Sequence, residues 1–247
     1  MDEEALTGGN STTVTRVGST VRRTAGPWTP TVHALLRRVR DRGLAGVPEP
    51  LGVDADGREI VSYLPGEVPQ HPMPGWVWSA RALADSGRLL RRLHDATVGF
   101  DPAGPVWQLP AHEPAEVICH NDVAPYNMVF QDGRLVGLID FDTASPGPRL
   151  WDLAYLAYRI VPLTGSPDPT APPTASRPAR LDTLLSAYGM AWPHTEVLVA
   201  VRARLAELAA FTERRAADTG RADLAGHAVL YRRDGALLAV DPLAAEP

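Results

Sequence analysis

Hydrophobic positions along this chain change their period partway through. Before residue 64 they alternate over short runs. Thr13-Val14-Thr15-Arg16-Val17 and Ser19-Thr20-Val21-Arg22-Arg23 read as two strands paired across Gly18. Trp28-Thr29-Pro30 then opens a helix, with Thr29 as N-cap and Pro30 in the first turn. Val32, Leu35, Leu36 and Val39 recur at helical spacing up to Gly43. Val47 to Val53 and Arg58 to Leu64 form another strand pair around Asp54-Ala55-Asp56-Gly57, and Pro65-Gly66 breaks the second strand. Past the Pro-rich residues 67 to 76 the period lengthens. Ser79 to Thr97 reads as a long helix with Leu83, Leu90 and Leu93 facing inward. Leu181 to Tyr188, Thr195 to Asp218 and Ala222 to Arg233 read as further helices. Phe100 to Glu116 is an irregular, Pro-rich link, and Gly165 to Pro178, with few large apolar residues, reads as a mobile loop or linker. The expectation is an α+β chain: a small sheet with one helix over residues 1–64, then a larger, mostly helical region over 65–247.

Between these regions lies Val117 to Asp152, where the chemistry is concentrated. Cys119-His120-Asn121-Asp122-Val123-Ala124-Pro125-Tyr126-Asn127 reads H-x-D-x-x-x-x-N. Two short strands follow, Asn127 to Phe130 and Leu135 to Leu138, around Gln131-Asp132-Gly133-Arg134, a strong hairpin turn. The hairpin brings Leu138-Ile139-Asp140-Phe141-Asp142 back beside Asn127. Phosphoryl transfer asks a protein mainly for positioning and charge neutralisation. Asp122 can sit beside an acceptor hydroxyl. Asn127 and Asp140 offer the hard oxygen ligands that magnesium favours. The same spacing is found in the catalytic loop of protein kinases.

On these residues the segment resembles the aminoglycoside phosphotransferase family, a branch of the kinase-like fold that phosphorylates small molecules. The family pattern is H-G-D-x-x-x-x-N, then I-D-F or I-D-W, then an Asp about a dozen residues on. Asn121 stands in place of the usual Gly, and Asp152 matches the later Asp. The resemblance implies a bilobal kinase-like fold, with Asp122 as base, Asn127 and Asp140 on magnesium, and ATP or GTP as phosphoryl donor. It also implies that His120 and Asp152 brace the loop. Asp142 reads either as a loop-bracing carboxylate or as a second metal or substrate contact. Leu89-Leu90-Arg91-Arg92-Leu93-His94 resembles the segment before the family's catalytic loop, with His94 as a packed or capping residue.

The resemblance further implies that the N-terminal sheet covers the nucleotide. Gly8 and Gly9 then let backbone amides approach phosphates. Ser62 and Leu64 fall at the hinge whose backbone binds adenine. A kinase-like sheet needs a cation on its third strand, usually lysine, and all 24 basic residues other than histidine are arginine. If Val21 faces inward, Arg23 shares its face and Arg22 points to solvent. The helix offers no Glu to hold that cation, only His33 and Asp41. Among the acids of the C-terminal helices, spacing does not choose which of Asp182, Glu196, Glu207 and Glu213 faces the acceptor.

Composition narrows the alternatives. A net charge of −5 argues against a broad nucleic-acid surface. No apolar run is long enough to span a bilayer, and Met1-Asp2-Glu3-Glu4 is unlike a basic signal-peptide start, so a cytoplasmic protein without membrane contact is expected. The single Cys119 cannot form an internal disulfide and reads as a buried free thiol. As partners the resemblance implies a nucleotide and a small hydroxylated substrate, with aminoglycosides, other hydroxylated antibiotics, choline-like amines and sugars all open. A nucleotide-binding protein without transfer activity is the alternative, prompted by the missing lysine, the missing helix Glu and Asn121. Protein kinase activity ranks behind both, because A-P-E and a conventional activation segment are absent.

Overall fold

The computed structural model describes residues 3–6, 14–164 and 168–239. A five-stranded antiparallel sheet is built from β1 (Glu3–Leu6), β2 (Val14–Val17), β3 (Thr20–Thr24), β4 (Pro50–Val53) and β5 (Arg58–Ser62), in the order β1-β2-β3-β5-β4. Gly18, with φ of 60°, makes the tight turn from β2 to β3. β1 was not anticipated, since its short acidic sequence carries no alternation. Helix α1 (Thr29–Asp41) packs Val32, Leu35, Leu36 and Val39 into the core. Its N-cap is Trp28 rather than Thr29, because the Thr29 hydroxyl accepts the Gly26 N–H instead. Burying four such side chains contributes about 1.5–3 kcal/mol each before entropy is charged.

The second region starts with α2 (Ala80–Thr97), capped by the Ser79 hydroxyl on the Ala82 N–H. Leu83, Leu90 and Leu93 are each buried, as their spacing predicts. A two-stranded ribbon joins β6 (Val117–Cys119) to β9 (Ser145–Gly147), and a hairpin joins β7 (Met128–Gln131) to β8 (Arg134–Leu138). The β6–β9 pair escaped sequence reading because each strand is only three residues long. Asp132 and Gly133 both have positive φ, the backbone that a two-residue hairpin turn requires. Helices α3 (Arg149–Ile160), α4 (Arg177–Tyr188), α5 (His194–Thr219) and α6 (Ala222–Leu237) complete the chain. Thus the fold is α+β, with a sheet-rich N-terminal part and a helical C-terminal part.

Two close contacts lock the hairpin against the preceding chain. The Leu138 N–H donates to the Gly46 carbonyl, and Glu67 exchanges both backbone hydrogen bonds with Phe130. A Cβ on Gly46 would lie 2.4 Å from the Val136 carbonyl oxygen, and one on Gly66 2.5 Å from Val129, so both approaches need glycine. The stretch read as a mobile linker is partly anchored: Asp168 accepts the Met73 N–H at 2.7 Å, and Thr170 bonds the Met73 carbonyl and the Trp78 indole. Residues 174–176 form a short 3-10 turn leading into α4. Among the described residues, no helix is long and apolar enough to cross a membrane.

Candidate active site

The loop between β6 and β7 is held from below by one carboxylate. Asp152, in the first turn of α3 and fully buried, accepts the His120 N–H at 2.7 Å and the Asn121 N–H at 2.9 Å. The oxygen that takes the His120 N–H, Oδ2, also faces Nε2 of buried His94 at 3.0 Å. Burial alone would raise the Asp152 pKa, but the bonds from His94 and His120 hold it below the usual carboxylate range. The His120 side chain bridges the loop to the hairpin: Nε2 donates to the Ile139 carbonyl at 3.0 Å, and Nδ1 accepts the Asp122 N–H at 3.3 Å. Its ring lies edge-on to Phe141.

Asn121 has φ of 66°, which explains how it can replace glycine: asparagine tolerates the left-handed region better than other residues with a Cβ. Its amide donates to the Thr143 carbonyl and to the Ser145 hydroxyl, each at 2.9 Å. The substitution thereby adds a link between the loop and the segment after the hairpin.

Asp122 lines a cavity of about 1010 Å³ formed mainly by α3, α5 and α6. Tyr126 donates to its Oδ1 at 2.6 Å and Asn127 Nδ2 to its Oδ2 at 2.9 Å. Burial pushes the Asp122 pKa up against the Tyr126 bond, and the Asp140 charge pushes it further. Because Nδ2 of Asn127 serves Asp122, its Oδ1 is left to act as a ligand. The Ile139 N–H donates to the Asn127 carbonyl, which sets Asp140 beside Asn127, as the hairpin predicts. Asp140 has φ of 65° and its side chain is 46% exposed in the cleft.

Arg23 reaches this cluster from β3. Its Nε meets Glu59 at 2.5 Å, and its two terminal nitrogens meet Asp140 at 2.7 Å and Asp142 at 2.6 Å. Burial works against its charge, yet Asp142, Asp140 and Glu59 together raise its pKa. Arg22, on the other face, pairs loosely with Asp54 at 3.6 Å. Asp142 is the brace opposite Arg23, and burial lifts its pKa to about 6 in spite of that partner. Glu59 was missed by sequence reading. It is 1% exposed on β5, directly opposite Arg23 in the sheet, and its other oxygen bonds His33 Nε2 at 2.9 Å. Arg23 thus has a buried counter-charge on β5, itself held by His33 of α1. Alternation with buried Val61 was the available signal for Glu59.

Other expected residues fall elsewhere. The Ser62 N–H donates to the Glu49 carbonyl and its hydroxyl accepts the Glu49 N–H, so both are committed within the sheet. Leu64 packs close to Gly137. Gly8 and Gly9 lie outside the described residues. Of the four helix acids only Glu207 lines the cavity; Asp182 pairs with His194, Glu213 with Arg232, and Glu196 is exposed. Cys119 is a buried free thiol donating to the Pro148 carbonyl, and burial pushes its pKa well up. Tyr126, Arg159 and Arg204 also line the cavity; only Tyr126, four residues after Asp122, carried a sequence signal.

Comparison with known proteins gives the same direction. Residues 104–198 match the model of the phosphotransferase enzyme family. The trifolitoxin immunity protein of Rhizobium leguminosarum bv. trifolii is 44% identical over 152 residues, covering 59% of this chain. The chain matches 57% of that curated relative's length. A choline/ethanolamine kinase family protein from Mesorhizobium loti superposes with a TM-score of 0.69 at 18% identity, covering 98% of this chain and 89% of the other. The amicoumacin kinase hAmiN gives 0.69 at 13% identity, covering 99% and 90%. The gentamicin complex of APH(2")-IIa gives 0.63 at 15%, covering 93% and 90%. At such identities these three likenesses are of fold. The resemblance drawn from the catalytic loop holds: the chain carries the phosphotransferase family pattern over residues 104–198 on a kinase-like phosphotransferase fold.

Proposed function

We propose that the protein transfers the γ-phosphoryl group of ATP or GTP to a hydroxyl of a small molecule. The observation that carries this is the convergence of three residues: Asn127 donates to Asp122, the Ile139 N–H on its carbonyl sets Asp140 beside it, and Asp122 lines a cavity sized for a small substrate. In this reading residues 1–64 cover the nucleotide and 65–247 supply the chemistry and the acceptor pocket, with the backbone at Leu64 meeting the base rather than Ser62, which is bonded within the sheet. Arg23 takes the place of lysine at the phosphates.

Asp122 receives the acceptor hydroxyl's proton as the new oxygen–phosphorus bond forms and the bond to the β-phosphate oxygen breaks. Tyr126 and Asn127 fix its two oxygens for that task. The free Asn127 Oδ1 and the exposed Asp140 carboxylate fit a hard divalent cation, and magnesium held there would neutralise phosphate charge. The immunity-protein relative supports an antimicrobial compound as acceptor, with resistance as the outcome.

Asp122→Ala should leave binding of magnesium nucleotide largely intact and reduce transfer by about 10²–10⁴-fold. Undiminished transfer in that variant would remove Asp122 from the base role. One observation favours the second reading, a nucleotide-binding protein without transfer: Arg23 already engages both Asp140 and Asp142. An ADP-release screen across aminoglycosides, nucleoside antibiotics, amino alcohols, sugars and hydroxy acids separates the two, since silence with ATP still bound would favour the second.

A further inference from the structure

Beside Asp122 the cavity holds a positive charge that phosphoryl transfer, as described, does not use. Arg159 lies in the last turn of α3 and lines the cavity. Its guanidinium carbon is 5.2 Å from the Tyr126 ring centroid and 5.7 Å from that of Tyr158. Because Tyr126 also donates to Asp122, a single phenol ring separates this cation from the base. The Arg159 Nε is buried without a hydrogen-bond partner, and among the described residues no carboxylate pairs with it. Arg204, 2% exposed, lines the same cavity; one of its terminal nitrogens donates to the Asn121 carbonyl and the other lies 3.8 Å from Glu207, while its Nε is unpartnered.

The cavity's acids are differently placed. Asp234 accepts the Tyr158 and Thr164 hydroxyls and pairs with Arg233. Glu207 meets His112 at 2.7 Å, and Asp122 is held by Tyr126 and Asn127. A polycationic acceptor thus finds each of these carboxylates already engaged. A carboxylate-bearing acceptor finds a guanidinium with no paired carboxylate, set against aromatic rings.

We propose that Arg159, backed by Arg204, binds a carboxylate of the acceptor. The acceptor is then a hydroxylated carboxylic acid whose aromatic or apolar body lies against the tyrosines and Phe211. This rests on the phosphotransferase reading for where the hydroxyl points, but the anion site itself is testable without transfer.

The experiment is calorimetric binding of three probes and their methyl esters: N-benzoyl-L-serine, N-benzoyl-L-threonine and 3-hydroxy-3-phenylpropionate, with kanamycin as the polycation. For the wild-type protein at least one acid should bind about tenfold or more tighter than its ester, and tighter than kanamycin, as a charge-assisted hydrogen bond implies. Arg159→Gln should abolish the acid–ester difference, and Arg159→Lys should restore part of it. No acid preference in any pair, or tighter binding of kanamycin, would overturn the proposal with the wild-type protein alone. It is likewise overturned if Arg159→Gln keeps the discrimination, or weakens magnesium AMP-PNP more than the acids, which would assign the arginine to the nucleotide phosphates. Transfer lost in Asp122→Ala while acid binding persists would uphold both readings; acid binding without any transfer would retain the anion site alone.

Discussion

Asp152→Ala removes the carboxylate on which the catalytic loop rests, and its cost can be worked from three contacts. The alanine leaves the His120 and Asn121 N–H groups and the His94 ring nitrogen facing an empty, fully buried space. A buried donor left unsatisfied costs about 1–3 kcal/mol. Some relaxation or an entering water offsets part of three such losses, which leaves about 3–5 kcal/mol, the usual cost of breaking a buried charged pair. Against a total stability of about 5–15 kcal/mol the variant should fold but be marginal.

Urea denaturation followed by circular dichroism measures this directly, with a lower midpoint and an unchanged slope as the expected result. A loss below about 1 kcal/mol would show that the loop does not depend on this carboxylate. The pH dependence adds a second check. The folded-state pKa of Asp152 lies below its unfolded value, so its stabilisation is complete above the ordinary aspartate range, about pH 4. It is lost as pH falls through the folded pKa. The gap between wild type and variant should therefore be flat at neutral pH and narrow in acid; a gap that widened in acid would reverse the sign of the argument.

Arg23→Ala should weaken magnesium-nucleotide binding more than Arg22→Ala, measured by calorimetry; the reverse order would remove Arg23 from the phosphate-binding role. Glu59→Gln, which keeps the shape but frees Arg23 from its buried counter-charge, should lower both thermal stability and nucleotide affinity, and unchanged affinity would reduce the Arg23–Glu59–His33 arrangement to a structural one. At position 121, where φ is positive, stability should fall in the order Asn, Gly, Ala, with Ala losing about 2–3 kcal/mol from two hydrogen bonds and left-handed strain together. An alanine variant as stable as the glycine variant would refute that backbone argument.

What could be read from the chain divides along a physical line. Asp122, Asn127 and Asp140 were legible because one loop and one hairpin, spanning fewer than thirty residues, carry all three, and a Asp-Gly turn fixes how they come together. The helices were legible because their inward leucines recur over several turns. The β6–β9 ribbon was not, since three-residue strands carry no measurable period. Arg159 and Arg204 were invisible for another reason: an arginine in a helix is usually solvated, and only the packing of α3 against α5 and α6 turns these two into one cavity.

The nucleotide side depends on a register, which sequence reads only weakly. Arg23 faces the site only if β3 is set so that it opposes Glu59 on β5, and the same residue then reaches Asp140 and Asp142 at the end of the hairpin. A one-residue slip in β3 would turn Arg22 inward and separate Glu59 from its partner. It would also leave Asp142, whose raised pKa reflects its burial, without the cation that faces it. The sheet register and the hairpin register are thus a single constraint enforced by one guanidinium. The wide, forked guanidinium makes this possible, since three carboxylates from two parts of the fold can be held at once. The buried counter-charge of Arg23 thus comes from β5, and His33 on the first helix orients it.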